Sequence, residues 1–141
     1  MKILSTLFFI LVVLFGLAYF FGGGYIPEQK NYAYKDFVKV SAPLPESVIT
    51  SPLTIKGEAR GVWFFEASFP VILTDWDGKI IADGIATAQD EWMTEEYVPF
   101  EATLTFDKPS YGKNGFLILR KDNPSGLPEH DDAAEMQVYF K

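Results

Sequence analysis

The sequence predicts an all-β sandwich of about seven strands behind one N-terminal transmembrane helix. Three observations carry that prediction. An uncharged, strongly apolar run, "ILSTLFFILVVLFGLAYFF", fills Ile3 to Phe21. After Val48 apolar residues recur at every second position in short runs separated by turn residues. The body shows no convincing helical period.

The apolar run comes first. At ~1.5 Å per residue its helix would come close to the ~30 Å thickness of a bilayer core. A cleavable signal peptide has a shorter apolar region, about 7–15 residues, so residues 1–21 are expected to be a retained anchor, with a cleaved signal as the alternative. The amino terminus and Lys2 precede the run, whereas Glu28, Lys30, Lys35 and Asp36 follow it, and this bias places the body outside the cell membrane, single-pass. Residues 22–46, opening on Gly22 to Gly24 and closing on Pro43 and Pro45, are expected to be a tether. The domain proper is expected over 47–141.

Within it, Val48 to Thr50 makes a short lead strand. "LTIKGEA" sets Leu53, Ile55, Gly57 and Ala59 on one face and Thr54, Lys56 and Glu58 on the other, as does "VPFEATLTF" with Val98, Phe100, Ala102, Leu104 and Phe106 inward. "AEMQVYFK" closes the chain with Ala134, Met136, Val138 and Phe140 inward. Three runs, "FEASFPVILTD", "KIIADGIAT" and "GFLILRK", are partly apolar on both faces and are expected to be central strands. "DWDG" at Asp75 to Gly78 is a hairpin turn between two of them. Seven short strands in about 95 residues suggest an immunoglobulin-like sandwich, without the Cys…Trp…Cys signature of antibody domains.

Charge and composition narrow the function. The chain carries −7 overall, with 19 acids and 12 bases; all 19 acids and 11 of the bases follow the apolar run, which leaves the body at −8. Such a body repels nucleic acid, anionic lipid headgroups and anionic wall polymers unless a divalent cation bridges them. With no cysteine there is no disulfide, zinc-thiolate site or thiol nucleophile, and a single histidine, His130, excludes multi-histidine metal sites. His130 has no G-x-S-x-G partner, so the sequence offers no catalytic residue and requires no cofactor.

"SPLTIKGEARGVWFFEASFPVILTDWDG", "EWMTEEYVPFEATLTF" and "LILRKDNPSGLPEHDDAAEMQVYF" together resemble the immunoglobulin-like domain named for bacterial spore germination, the second of the Gmad domains. The resemblance covers about Val48 to Phe140. It implies an extracytoplasmic, often membrane-anchored β-sandwich with a binding or assembly role, and it supplies no catalytic residues.

Two candidate surfaces follow from the residues. The loop after the "LILR" strand gathers Arg120, Asp122, Asn123, Glu129, His130, Asp131 and Asp132. Its expected form is an ordered feature held by pairs between Arg120 and carboxylates, open to a partner; Asp131 and Asp132 are weak calcium candidates, since their spacing matches no standard calcium loop. Trp63 and Trp92 form a candidate aromatic surface, or else cap the core. Glu66, within "FFEASF", needs Arg60 or Arg120 as partner if buried. The expected function is a non-enzymatic, membrane-tethered module recognising another envelope protein, with a carbohydrate or wall-glycan module, calcium-assisted or not, as the alternative. Exposed tryptophans at 63 or 92 favour the glycan, and buried ones with an apolar strand edge favour protein assembly.

Overall fold

The computed structural model describes residues 31–141. Residues 1–30, where the anchor and the first part of the tether are expected, lie outside the described residues. Among the described residues no helix is long and apolar enough to cross a membrane.

Nine strands run in chain order: β1 (Tyr32–Tyr34), β2 (Val38–Ala42), β3 (Val48–Ile49), β4 (Leu53–Arg60), β5 (Ser68–Asp75), β6 (Ile80–Ala88), β7 (Tyr97–Leu104), β8 (Asn114–Arg120) and β9 (Ala133–Phe140). They form one hydrogen-bonded order, β1-β2-β4-β7-β6-β5-β8-β9-β3. β6 and β7 pair only at Thr87–Glu101 and Ala88–Phe100, and there the order folds over into two layers. The layer β1-β2-β4-β7 faces the layer β6-β5-β8-β9-β3, and the edge-on Phe69–Phe100 contact, 5.0 Å between ring centres, joins them. All pairings are antiparallel except β3 with β9.

The alternation in the sequence is the alternation in space. On β4, Leu53, Ile55 and Ala59 are buried while Thr54, Lys56 and Glu58 are exposed. On β7, Val98, Phe100, Ala102 and Leu104 are buried opposite Pro99, Glu101 and Thr103. Burying these side chains on one shared core is the main stabilising term, at about 25 cal/mol per Å² of apolar surface removed from water. The "DWDG" turn sits between β5 and β6. Oδ1 of Asp75 accepts from the N–H groups of Asp77 and Lys79, both at 2.9 Å, and Gly78 takes φ +80°.

Two expectations are corrected. The segment expected as tether contains β1 and β2, with Val38 and Val40 fully buried, so the sheet begins at Tyr32. The alternating "VKV" pattern is short and lies between Pro27 and Pro43, and its burial comes from pairing with β4. "FEASF" is not continuous strand. Phe65 and Ser68 exchange backbone hydrogen bonds at 2.9 and 3.1 Å across Glu66 and Ala67, whose φ values of 49° and 62° make a tight turn. Glu66 therefore projects into solvent and needs no buried partner.

A loop-bearing end built on Trp63

One end of the sandwich collects the β1–β2 turn, the loop from β4 to β5, the β6–β7 loop and the β8–β9 loop. β4 ends at Arg60, and a short 3-10 turn, Gly61–Trp63, carries the chain across. Gly61 is required there, because a Cβ would lie 1.8 Å from the carbonyl oxygen of Thr94. The turn buries Trp63 completely, with Tyr34 edge-on and Phe37 tilted against it, each at 6.1 Å. Its carbonyl accepts the N–H of Asp122 at 3.0 Å, which pins the β8–β9 loop to it. The indole N–H is buried with no hydrogen-bond partner among the described residues.

The β8–β9 loop is tightly self-bonded. The Asn123 amide donates to the Leu127 carbonyl and to Oδ1 of Asp131, both at 2.8 Å, and its own oxygen accepts from Ser125. Pro128–His130 forms a 3-10 turn with proline at its start and Glu129 in its first turn. Lys121 donates to the His130 carbonyl at 3.2 Å.

Asp132 ties this loop to the lead-in strand. The Tyr34 hydroxyl donates to it at 2.7 Å, and Lys35 pairs with it at 2.9 Å. Burial alone would raise the Asp132 carboxyl, but hydrogen bonds from Tyr34, Lys35 and the Ala133 N–H outweigh that and hold it below its ordinary value. The Lys35 ammonium is correspondingly raised, by Tyr34 first and then by Asp132. The expected Arg120 pairs are thus corrected: Arg120 is exposed and forms no ion pair among the described residues, and Lys35, from a segment distant in sequence, supplies the cation. Arg120 stands on the outer face of β8, where no loop carboxylate reaches it.

A second polar cluster flanks the first. The Arg60 guanidinium lies over the Tyr97 ring, 4.0 Å from its centre, and bonds Asp36 at 2.7 Å, while Tyr97 donates to the same carboxylate at 3.0 Å. Arg60 first and Tyr97 second lower the Asp36 carboxyl.

Between the two clusters lies a groove of about 280 Å³ lined by Phe37, Val62, Trp63, Lys121, Glu129, His130 and Asp132. Phe37 and Val62 are exposed at 37% and 56%, an apolar lip on a charged rim. Glu129, His130 and Asp131 are exposed, and Asp122, Asn123 and Asp132 are half-buried. Asp131 and Asp132 point to different partners, Asn123 and Lys35, and among the described residues no three acids or histidines are gathered to hold a metal. The end as a whole is strongly acidic. Ten carboxylates (Asp36, Glu66, Asp90, Glu91, Glu95, Glu96, Asp122, Glu129, Asp131, Asp132) face five cations (Lys35, Lys39, Arg60, Arg120, Lys121). The opposite end balances Glu46, Asp75, Asp77 and Asp107 against Lys79, Lys108, Lys113 and Lys141.

The aromatic candidates separate. Trp63 is buried and Trp92 is half-buried against the core, so neither makes the aromatic surface. The exposed pair is Trp76, 47% exposed in the β5–β6 turn, with Tyr111, 76% exposed in the β7–β8 loop, 5.9 Å apart at the opposite end. Sequence reasoning passed over Trp76 because it was absorbed into the "DWDG" turn, although a tryptophan inside a tight turn is itself a signal of exposure. Lys35 was passed over with the tether.

Residues 37–126 match the model of a family described as the immunoglobulin-like domain of bacterial spore germination. No curated protein and no solved structure matches the chain. The match begins in the β1–β2 turn, earlier than the resemblance placed it, and spans most of the sandwich. With its strands, its layers and this match in agreement, the chain belongs to the family of the immunoglobulin-like domain of bacterial spore germination.

Proposed function

We propose that this protein is a membrane-tethered, extracytoplasmic, non-catalytic module that binds another protein of the cell envelope through its Trp63 end. An immunoglobulin-like domain is a binding or assembly scaffold, and loops on a rigid sandwich are its usual recognition elements. The observation that carries the reading is the pairing, at one end, of the Phe37–Val62 groove with the excess of carboxylates. Apolar side chains exposed in a charged rim suit a protein partner with an apolar anchor and a basic surround. The uncharged run from Ile3 to Phe21 supplies the tether's anchor, and N-terminal sequencing of the membrane-bound protein should return Met1 or its neighbours. A start near Gly24 would refute retention.

The test is photocrosslinking in intact cells from position 62, with position 108 at the neutral end as control. A discrete envelope-protein adduct from position 62, lost on Phe37→Glu at the other side of the groove and weakened by salt, is the expected result. Equal labelling from both positions would remove the assignment.

One observation favours a second reading. The Trp76–Tyr111 pair exposes two aromatic faces beside Asn114, an arrangement that can stack on a sugar ring, with calcium assistance or without it. Gly112 makes room for Trp76, since a Cβ there would lie 2.3 Å from the indole Cδ1. Tryptophan fluorescence that no wall fragment perturbs would exclude this alternative.

A further inference from the structure

The two sheets have different outer faces. On the outside of β2, β4 and β7 the register pairs Lys39 with Glu58 and Lys56 with Glu101, the charged surface that water requires. On the outside of β6, β5 and β8 the register pairs Ile85 with Pro70, places Ile72 beside Ile118, and sets Phe116 and Ile80 on either side of Thr74. Their inward neighbours Phe69, Val71, Leu73, Leu117 and Leu119 already fill the core, so among the described residues these outer side chains have no layer of their own to pack on. Ile80 and Ile85 are 55% and 56% exposed, and the other four are half-buried. Strands that are apolar on both faces normally lie between two layers, and this sandwich supplies one.

We infer that this outer face of β6-β5-β8 is an interface between two copies of the chain, packed sheet on sheet about a two-fold axis. Charge selects the occupant. The described body carries 18 acids and 10 bases, so most approaches of one copy to another bring like charges together. On β6, β5 and β8 this face presents a single acid, Asp83, and a single base, Arg120, and Glu135 of β9 borders it beside Ile118. Depletion of charge around an apolar centre is the compositional mark of an interface core. A two-fold axis along β5 exchanges β6 with β8. Asp83 lies level with Ile118, two residues from Arg120, so each Asp83 then stands about 7 Å along the strand from the partner copy's Arg120, within an arginine's reach. That contact also gives the exposed Arg120 a carboxylate. The inference is independent of the partner assigned to the Trp63 end, whose groove shares no lining residue with this face.

The chain has no cysteine, so single introduced thiols report cleanly. Facing sheets stand about 10 Å apart, too far for a direct disulfide, and a thiol-to-thiol crosslinker of about 8 Å suits the gap. Applied to the full chain, it should convert Ile72→Cys to a covalent dimer. Glu58→Cys, on the outer face of the other sheet, should stay monomeric. Adding Ile85→Lys or, separately, Ile80→Lys to Ile72→Cys should cut the dimer yield at least tenfold with an unchanged circular dichroism spectrum, because both isoleucines are exposed. Raising salt should increase the yield, since it screens the repulsion between acidic bodies. A monomeric Ile72→Cys protein, equal dimer from Glu58→Cys, yields untouched by both lysines, or a dimer that dissolves in salt would each overturn the inference.

Discussion

Asp132 is the residue on which the loop end turns, because one carboxylate receives Tyr34 and Lys35 from the start of the domain and sits at the foot of β9. Asp132→Asn keeps the shape and removes the charge. It should cost about 1 kcal/mol, discounted for partial exposure, and lower the melting temperature of the body by about 4 °C. The pH dependence has a definite sign. Asp132 is lowered from 3.8, so its contribution is complete above that value and is lost as pH falls below it; Lys35 is raised from 10.5, so its contribution is complete below that value and is lost as pH climbs past it. Asp36, lowered by Arg60 and then Tyr97, adds a second acid-side loss. A melt series should therefore be steeper below pH 4 in the parent than in Asp132→Asn. Trp63 acts through volume. Trp63→Ala should cost about 3–5 kcal/mol, whereas Trp63→Phe, which also deletes a buried N–H that has no partner among the described residues, should cost far less, as denaturant midpoints would show.

Elements were legible where one face meets core and the other meets water. β4, β7 and β9 alternate without a break, and the sequence places them within a residue or two. β1 and β2 were not legible, since three and five residues between turn formers carry too little pattern, and only pairing with β4 and the reach of Tyr32 to the Glu135 carbonyl make them structure. Deleting the Tyr34 hydroxyl with Tyr34→Phe should free β1 before any other strand. Hydrogen exchange should then quicken at residues 32–34 and in the β8–β9 loop while β5 and β8 stay protected. β8 has its own constraint. Gly115 lies under Thr74, whose carbonyl oxygen would stand 2.0 Å from an added Cβ, so Gly115→Ala should separate β8 from β5 and lower the melting temperature sharply.

At the scale of the whole molecule, charge and apolarity are sorted to different places. Acids crowd the Trp63 end, the far end is balanced, and the outer face of β6, β5 and β8 carries one acid and one base. Asn31 and Tyr32 lie beside Ser41 and Val40 at the edge of the layer, and β1 then runs toward the acidic end. In the proposed membrane-tethered arrangement, a body entered through residue 31 would turn its acidic end away from an anionic bilayer. Reversing two of these acids, as in Glu95→Lys with Glu129→Lys, should weaken capture of the partner crosslinked from position 62 and leave the melting temperature within about 2 °C, since both side chains are exposed.

By itself the sequence determined the all-β class, the family, the acidic body and the strands whose period is two, because each of these is a local or additive property of the chain. The loop's composition also marked it as a candidate surface. Only the tertiary structure decided that Lys35 rather than Arg120 meets Asp132, that Trp63 is buried and Trp76 exposed, and that the described residues leave the two-faced strands of the second layer uncovered on one side. Those outcomes depend on which residues distant in sequence become neighbours when the layers close, and no local pattern encodes that distance.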